Sequence, residues 1–184
     1  MLAKTQMNRT NKILSSIIGT RNIRTIAHDA EENAIENPPS SIEKIHQHCI
    51  DMAGDIVKAG EGALFVVGDT QKYNTLFPNF FDGKKHSIFD KGMDKVLVKL
   101  GQIDGAIIID PEGYIRAYGA HLTKQKVHPG HGTRHAAAKG ISLEPGITSI
   151  LASEEAKVVK IYRNGVQLVE LNPYTKGVDS QFTT

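Results

Sequence analysis

The sequence has one cysteine, no tryptophan and a formal net charge of only +2. Cys49 has no second cysteine to pair with, which excludes an internal disulfide and favours a reducing compartment. The weak net charge gives no electrostatic reason to expect nucleic-acid binding. No apolar run approaches the length of a membrane span, and residues 1–9 lack the apolar segment of a secretion signal. We therefore expect a cytoplasmic protein that binds neither nucleic acid nor membrane.

The length of 184 residues suits one domain with short appendages. Residues 1–39 contain a short amphipathic pattern and end with turn-forming prolines, so we interpret them as an N-terminal extension or linker. Residues 40–175 carry the succession of helical and strand patterns and form the predicted domain. The polar residues 176–184 form a tail.

A helical pattern opens this domain. Ser40 and Glu43 have the spacing of a capping box, and Gly60 fits the end of the helix. Apolar residues recur at helical spacing on one face, which predicts a buried stripe: Ile42, Ile45, Cys49, Met52, Ala53, Ile56 and Val57. We expect His46 and His48 on the flank and the solvent side of this helix.

Short apolar runs bounded by turn residues predict the strands. They cover residues 63–67, 104–110, 114–118, 147–152, 158–162 and 166–171. Further helical patterns end at Gly101 and begin at Thr133. Helical patterns come first along the chain. The strands that follow are joined mostly by turn residues typical of hairpins, with one or two helices between them. This pattern predicts an α/β (α+β) fold with a mixed central β-sheet flanked by helices.

Residues 132–138 indicate an anion site. Thr133 is a good N-cap for the alanine-rich helix that follows it. The first N–H groups of that helix, together with Arg134 and His135, would point the same way, and such a helix start suits a phosphate. In the alternative interpretation, Thr133 only caps the helix and His135 only packs on the face of the helix.

Acidic residues flank two of the predicted strands. Asp104 stands at the start of one strand, and Ser153-Glu154-Glu155 follows another. Oxygen ligands beside phosphate donors are what a metal–nucleotide site requires. Two alternatives stay open. Asp104 is also explained as an exposed carboxylate at the edge of the sheet, and one of the two glutamates is also explained as a solvated turn residue. We favour Glu155 over Glu154 as the ligand.

Four histidines, His121, His128, His131 and His135, fall within fifteen residues. Imidazole suits transition metals, but proline and glycine separate the middle pair, so no helix orients it as in a helical zinc motif. We do not expect a dedicated histidine metal site.

Taken together, three motifs resemble those of the diadenylate cyclase domain, and more closely its soluble, archaeal-type members. They are Asp104-Gly105-Ala106, Gly132-Thr133-Arg134-His135 and Ser153-Glu154-Glu155. The resemblance covers roughly residues 60–171. It implies a mixed sheet with surrounding helices and the condensation of two ATP molecules into cyclic di-AMP (c-di-AMP) and two pyrophosphates. It also implies a homo-oligomer in which two subunits meet head to head.

The resemblance assigns roles to individual residues. Asp104, Arg134 and His135 would be catalytic, and Asp104 with Glu155 would hold Mn²⁺ or Mg²⁺. The implied ATP-binding residues are Gly105, Ala106, Leu122, Gly132, Thr133, Arg134, His135 and Ser153, with Leu122 contacting the adenine through its backbone. Ala136 stands where many members have a second arginine. This departure leaves open a catalytically weak or inactive module that binds ATP or c-di-AMP.

Overall fold

The computed structural model describes residues 41–75, 85–122 and 132–175. Its helices are α1 (Ser41–Lys58), α2 (Met93–Gly101) and α3 (Thr133–Ile141). Its strands are β1 (Ala63–Val67), β2 (Tyr73–Thr75), β3 (Ala106–Ile109), β4 (Ile115–Leu122), β5 (Thr148–Ser153), β6 (Val158–Arg163) and β7 (Val166–Leu171). Within these ranges, none of the helices combines the length and the hydrophobicity needed to cross a bilayer.

All seven strands form one sheet in the order β2-β4-β3-β1-β5-β6-β7. β1 and β3 run parallel, and every other neighbouring pair is antiparallel. The predicted mixed sheet flanked by helices is therefore confirmed. The proposed extension (residues 1–39), the tail (176–184) and the Ser40 cap lie outside the described residues, and the domain boundaries stay a prediction.

The central strand β1 is buried on both faces and divides two apolar clusters. Phe65 and Val67 pack in the cluster beneath α1 and α2, whereas Leu64 and Val66 pack in the cluster beneath α3. This division follows from the alternation of side chains along a strand. The sheet is thus a middle layer, with α1 and α2 on one face and α3 on the other.

Several strand boundaries differ from the prediction by one to four residues, and two of the differences have clear local reasons. β3 ends at Ile109 because the Asp110 carboxylate accepts the N–H groups of Glu112 (3.1 Å) and Tyr114 (2.8 Å) and closes the turn. β4 continues to Leu122 because it pairs there with β2. The sequence interpretation missed β2, which has three residues and too little pattern to detect.

Helix α1 buries the predicted stripe, but its buried surface is wider than that stripe. His46, Ile50 and Gly54, spaced four residues apart, form a second buried row. His46 is 3% exposed, so its predicted position on the flank or solvent side is wrong. The physical reason is that α1 lies across β1, β5 and β6 and therefore covers more than a single helical face. His48 is partly buried and bonds the carbonyl of Ile88 (3.1 Å).

Burial of His46 makes stability depend on pH. Desolvation, followed by the nearby charge of Arg163, lowers the pKa of His46 to about 4, against a small opposing effect of the Ile42 backbone. Above the ordinary histidine pKa the ring is neutral in both the folded and the unfolded state. Below the ordinary pKa, the unfolded state binds a proton at His46, whereas the folded state keeps the ring neutral. Stability is therefore lost as the pH falls from 6.5 towards 4.

We expect His46 to remove about 1.4 kcal/mol of unfolding free energy per pH unit across that window. Urea unfolding of the wild type and His46→Leu at several pH values measures the difference, since the variant keeps every other titratable group. The wild-type curve should fall more steeply with acid than the variant curve. Parallel curves would contradict the assignment.

Candidate functional site

The predicted acidic motifs meet at one edge of the sheet, which we call the site edge. It consists of the N-terminal ends of β1 and β3 and the C-terminal ends of β4 and β5. β1 and β3 run parallel with Phe65 opposite Ile107, so both strands begin at this edge, and Asp104 lies two residues before the first residue of β3. The antiparallel pairing of Ala63 with Ala152, continued by one residue, places Gly62 beside Ser153. Asp104 and Ser153 therefore lie at the same edge, Asp104 on the β3 side of β1 and Ser153 on the β5 side.

Helix α3 brings the basic motif to the same edge. The helix packs on the sheet through Ala138 and Ile141, and the buried hydroxyl of Ser149 on β5 donates a hydrogen bond to the carbonyl of Ala138 (2.7 Å). At the other end of the helix, Nη1 of Arg134 lies 2.7 Å from the point where a Cβ on Gly62 would stand. The guanidinium therefore lies over the start of β1, between the Asp104 and Ser153 sides.

The start of α3 differs from the prediction in one detail. Gly132, in an extended conformation (φ −57°, ψ 154°), is the N-cap, and Thr133 is the first helical residue. Glycine is accepted at this position, so the predicted cap role of Thr133 is wrong. The carbonyl of Gly132 accepts the N–H groups of His135 (3.0 Å) and Ala136 (3.2 Å). Among residues 41–75, 85–122 and 132–175 no side chain caps the helix, so the N–H groups of Thr133 and Arg134 point outward, as an anion site requires.

Arg134 and Asp104 form no ion pair with each other or with another residue in the described ranges. Arg134 is partly buried, and no carboxylate within the described part of the chain reaches ion-pairing distance of its guanidinium. Asp104 is exposed, and its carboxylate accepts the N–H of Gly105 (3.0 Å). A cation and an anion that face the same edge without pairing to each other are both available to a ligand. An arginine of this kind suits a polyphosphate, because its donors are fixed in one plane.

The Ser153-Glu154-Glu155 segment forms the turn after β5. Ser153 is 4% exposed, and its hydroxyl accepts the N–H of Ala156 (3.3 Å), so part of its role is to hold the turn. Glu154 lies beside Gly62, with its Cβ 3.7 Å from the same Cβ position. Glu154 and Glu155 are both exposed. The turn thus brings Glu154 close to Arg134, with the exposed Glu155 following it in the chain.

The two small residues after Asp104 have a packing role. A Cβ on Gly105 (φ +110°) would stand 2.5 Å from the carbonyl carbon of Gly119 on β4, so only glycine fits there. Ala106 is 1% exposed and packs in the cluster beneath α3. These contacts hold β3 against β4 and fix the direction in which Asp104 leaves the sheet. A nucleotide contact by either residue stays a prediction.

An apolar surface adjoins the basic helix start. Leu122 at the end of β4, Tyr73 on β2 and Ala137 on α3 are all partly buried against the cluster beneath α3. Tyr73 is the direct pairing partner of Leu122. A planar base placed here would lie next to the phosphate donors of α3. The sequence interpretation did not single out Tyr73, since the short strand that carries it has no detectable pattern.

The described residues contain no cluster of three or more His, Cys, Asp or Glu side chains able to hold a metal. The donor set at the site edge nevertheless suits Mg²⁺ or Mn²⁺, because such ions are commonly held by one or two carboxylates and completed by substrate phosphates. Of the four histidines, His121 is exposed on β4 and His135 is partly buried on α3. His128 and His131 lie outside the described residues.

Asp69, which follows β1, lies at the opposite edge of the sheet. It is exposed and accepts a hydrogen bond from Gln71 (3.4 Å). Asp69 is therefore remote from the site edge.

Comparison with known proteins identifies the family of the chain. The family model described as "DisA bacterial checkpoint controller nucleotide-binding" (DAC) matches residues 51–167, which include all three motifs. A diadenylate cyclase of Methanocaldococcus jannaschii is 32% identical over 119 residues, covering 61% of this chain and 38% of the relative. A diadenylate cyclase of Haloferax volcanii is 27% identical over 162 residues, covering 83% and 60%. The chain thus matches less than two thirds of the length of either relative.

Among solved structures, a hypothetical membrane spanning protein from Bacillus cereus superposes with a TM-score of 0.52 at 19% identity. The match covers 89% of both chains. At this identity the likeness concerns the fold alone, and it agrees with the mixed sheet described above.

If Arg134 supplies the cation of an anion site, Arg134→Ala should weaken binding of inorganic tripolyphosphate about tenfold or more, because charge-assisted hydrogen bonds are lost. Isothermal titration calorimetry at fixed ionic strength measures this. Lys139→Ala is the matched control, since it removes the same charge from the last turn of the same helix. Equal losses in the two variants would indicate a diffuse charge effect instead of a site.

Proposed function

The chain belongs to the DAC family of DisA-type nucleotide-binding domains, and on that premise we propose that it is a diadenylate cyclase. The observation that carries the proposal is the position of the Arg134 guanidinium over Gly62, between Asp104 and the Ser153 turn. It supports a triphosphate site in which the basic and the acidic motif act on one nucleotide. The names of both archaeal relatives support the same activity.

In the proposed reaction the 3′-hydroxyl oxygen of one ATP attacks the α-phosphorus of a second ATP. The bond between the α-phosphorus and the oxygen that leads to the β-phosphate breaks, and pyrophosphate leaves. The same step in the opposite direction closes the ring, so two ATP give one c-di-AMP and two pyrophosphates. Asp104 would polarise the attacking hydroxyl and accept its proton. Arg134, His135 and the first N–H groups of α3 would bind the charge that develops on the phosphates.

We propose that the base lies on the apolar surface of Leu122, Tyr73 and Ala137, with the backbone of Leu122 contacting the adenine. Gly132, Thr133 and Ser153 would line the phosphate side, and Gly105 with Ala106 the side towards β3. Asp104 and Glu155 would hold the divalent cation. Such an ion, Mn²⁺ or Mg²⁺, would offset negative charge on the polyphosphate when bound.

The symmetry of the product determines the assembly that we propose. c-di-AMP contains two identical nucleotides related by a two-fold axis, and each subunit offers one site edge. Two subunits must therefore meet with their site edges facing each other, an isologous arrangement. A subunit that stays monomeric would bind ATP but turn it over poorly. ATP, c-di-AMP and a second copy of the chain are the proposed partners, and the cytoplasm, where ATP is available, is the proposed location.

Purified protein incubated with ATP and Mn²⁺ or Mg²⁺ should form c-di-AMP and pyrophosphate in a 1:2 ratio, resolved by liquid chromatography. ATP lacking its 3′-hydroxyl should give no product, because the nucleophile is missing. Binding of ATP without turnover under both metals would reject the enzyme and favour the binding module that Ala136 leaves open.

Asp104→Asn should lower the rate of c-di-AMP formation about 100-fold or more, because the amide neither accepts the proton nor carries the charge. ATP-independent thermal stability should change little, since Asp104 is exposed. Asp69→Asn is the matched control, the same substitution at an exposed aspartate on the opposite edge. A wild-type rate in Asp104→Asn would remove this carboxylate from the mechanism.

A further inference from the structure

We propose that Gly62 is a positioning residue for Arg134: the missing side chain leaves the space into which the guanidinium fits at the site edge. No motif of the sequence analysis includes Gly62. The inference rests on the proposed function, because the cation that it positions is the one that would meet the nucleotide phosphates.

The backbone does not require glycine at this position. Gly62 is not among the residues with positive φ, so an alanine adopts the same conformation without strain. The preceding Gly60 (φ +76°) already provides the left-handed residue that ends α1. The reason for a glycine at position 62 therefore lies in the space around it.

Atoms of Arg134, Ala152 and Glu154 surround that space. A Cβ on Gly62 would stand 2.7 Å from Nη1 of Arg134, 3.4 Å from the carbonyl oxygen of Ala152 and 3.7 Å from Cβ of Glu154. The second and third distances are ordinary contacts, so the guanidinium alone is in conflict. Ser153 is the neighbour of Gly62 by register, and Asp104 lies at the same edge, before the start of β3. Gly62 thus lies within the proposed site without contributing a functional group.

An alanine at position 62 would displace the far end of a flexible side chain and leave the backbone in place. The fold should therefore tolerate the methyl group, whereas the guanidinium must move away from the strand ends. Since polyphosphate recognition depends on where the planar donors point, a small displacement costs affinity and rate. The effect on function should be large and the effect on stability small.

The experiment compares Gly62→Ala, Arg134→Ala and the double variant with the wild type. Gly54→Ala is the matched control: it adds the same methyl group to a buried glycine of α1, where the new Cβ meets only Cβ of Pro173 at 3.5 Å. ATP affinity is measured by calorimetry, c-di-AMP formation by chromatography and folding by thermal denaturation. A crystal structure of Gly62→Ala reports the position of the guanidinium independently of activity.

Gly62→Ala should weaken ATP binding about tenfold or more, while Gly54→Ala binds like the wild type. In the Arg134→Ala background the Gly62→Ala change should add no further loss, because its effect passes through the guanidinium. Additive losses, or wild-type affinity in Gly62→Ala, would overturn the inference.

If the wild type itself neither binds ATP nor forms product, the proposed function fails. The crystal structure then decides on Gly62: an undisplaced guanidinium overturns the positioning role, and a displaced one supports it.

Discussion

Strand direction at the centre of the sheet is the constraint on which the site depends. β1 runs parallel to β3 and antiparallel to β5. The start of β1, the start of β3 and the end of β5 therefore lie at the same edge. This arrangement brings Asp104 and Ser153, which are far apart in the chain, to either side of Gly62. Helix α3, fixed on the sheet by its apolar face and by Ser149, then places Arg134 above them.

Both edges of the sheet contain an arginine without a carboxylate partner in the ranges that the structure covers. At the edge opposite the site, Glu144 accepts a hydrogen bond from Thr70 (2.8 Å) and pairs with Lys72 (3.1 Å), whereas Arg163, opposite Thr148, forms no ion pair there. An unpaired arginine is therefore not sufficient to define a site. Arg134 is distinguished by its position in the first turn of α3, where the N–H groups of the helix start add to its charge.

Helices and strands whose apolar residues recur with a clear period were predictable from the sequence. The motifs that occupy consecutive residues were also recognisable there. The buried stripe of α1 and the strands around Phe65 and Ile150 follow from apolar spacing, and the structure contains them. Asp104 and Arg134 lie at the same edge of the sheet, and their convergence around one triphosphate stays a prediction. Their catalytic and ligand roles stay predictions.

The features that were missed depend on tertiary context. Burial of His46 follows from the breadth of sheet that α1 covers. The cap at Gly132 follows from the backbone conformation of that residue, which the sequence pattern does not show. The importance of Gly62 follows from a side chain that is distant in sequence.

The central claim is tested most directly by a crystal structure of the protein with Mg²⁺ and 3′-deoxyadenosine triphosphate. This nucleotide lacks the attacking hydroxyl. The account predicts the triphosphate at the start of α3, contacting Arg134, with Asp104 beside the same nucleotide. A nucleotide bound at the Glu144 edge, or one that touches Arg134 but lies away from Asp104, would contradict it.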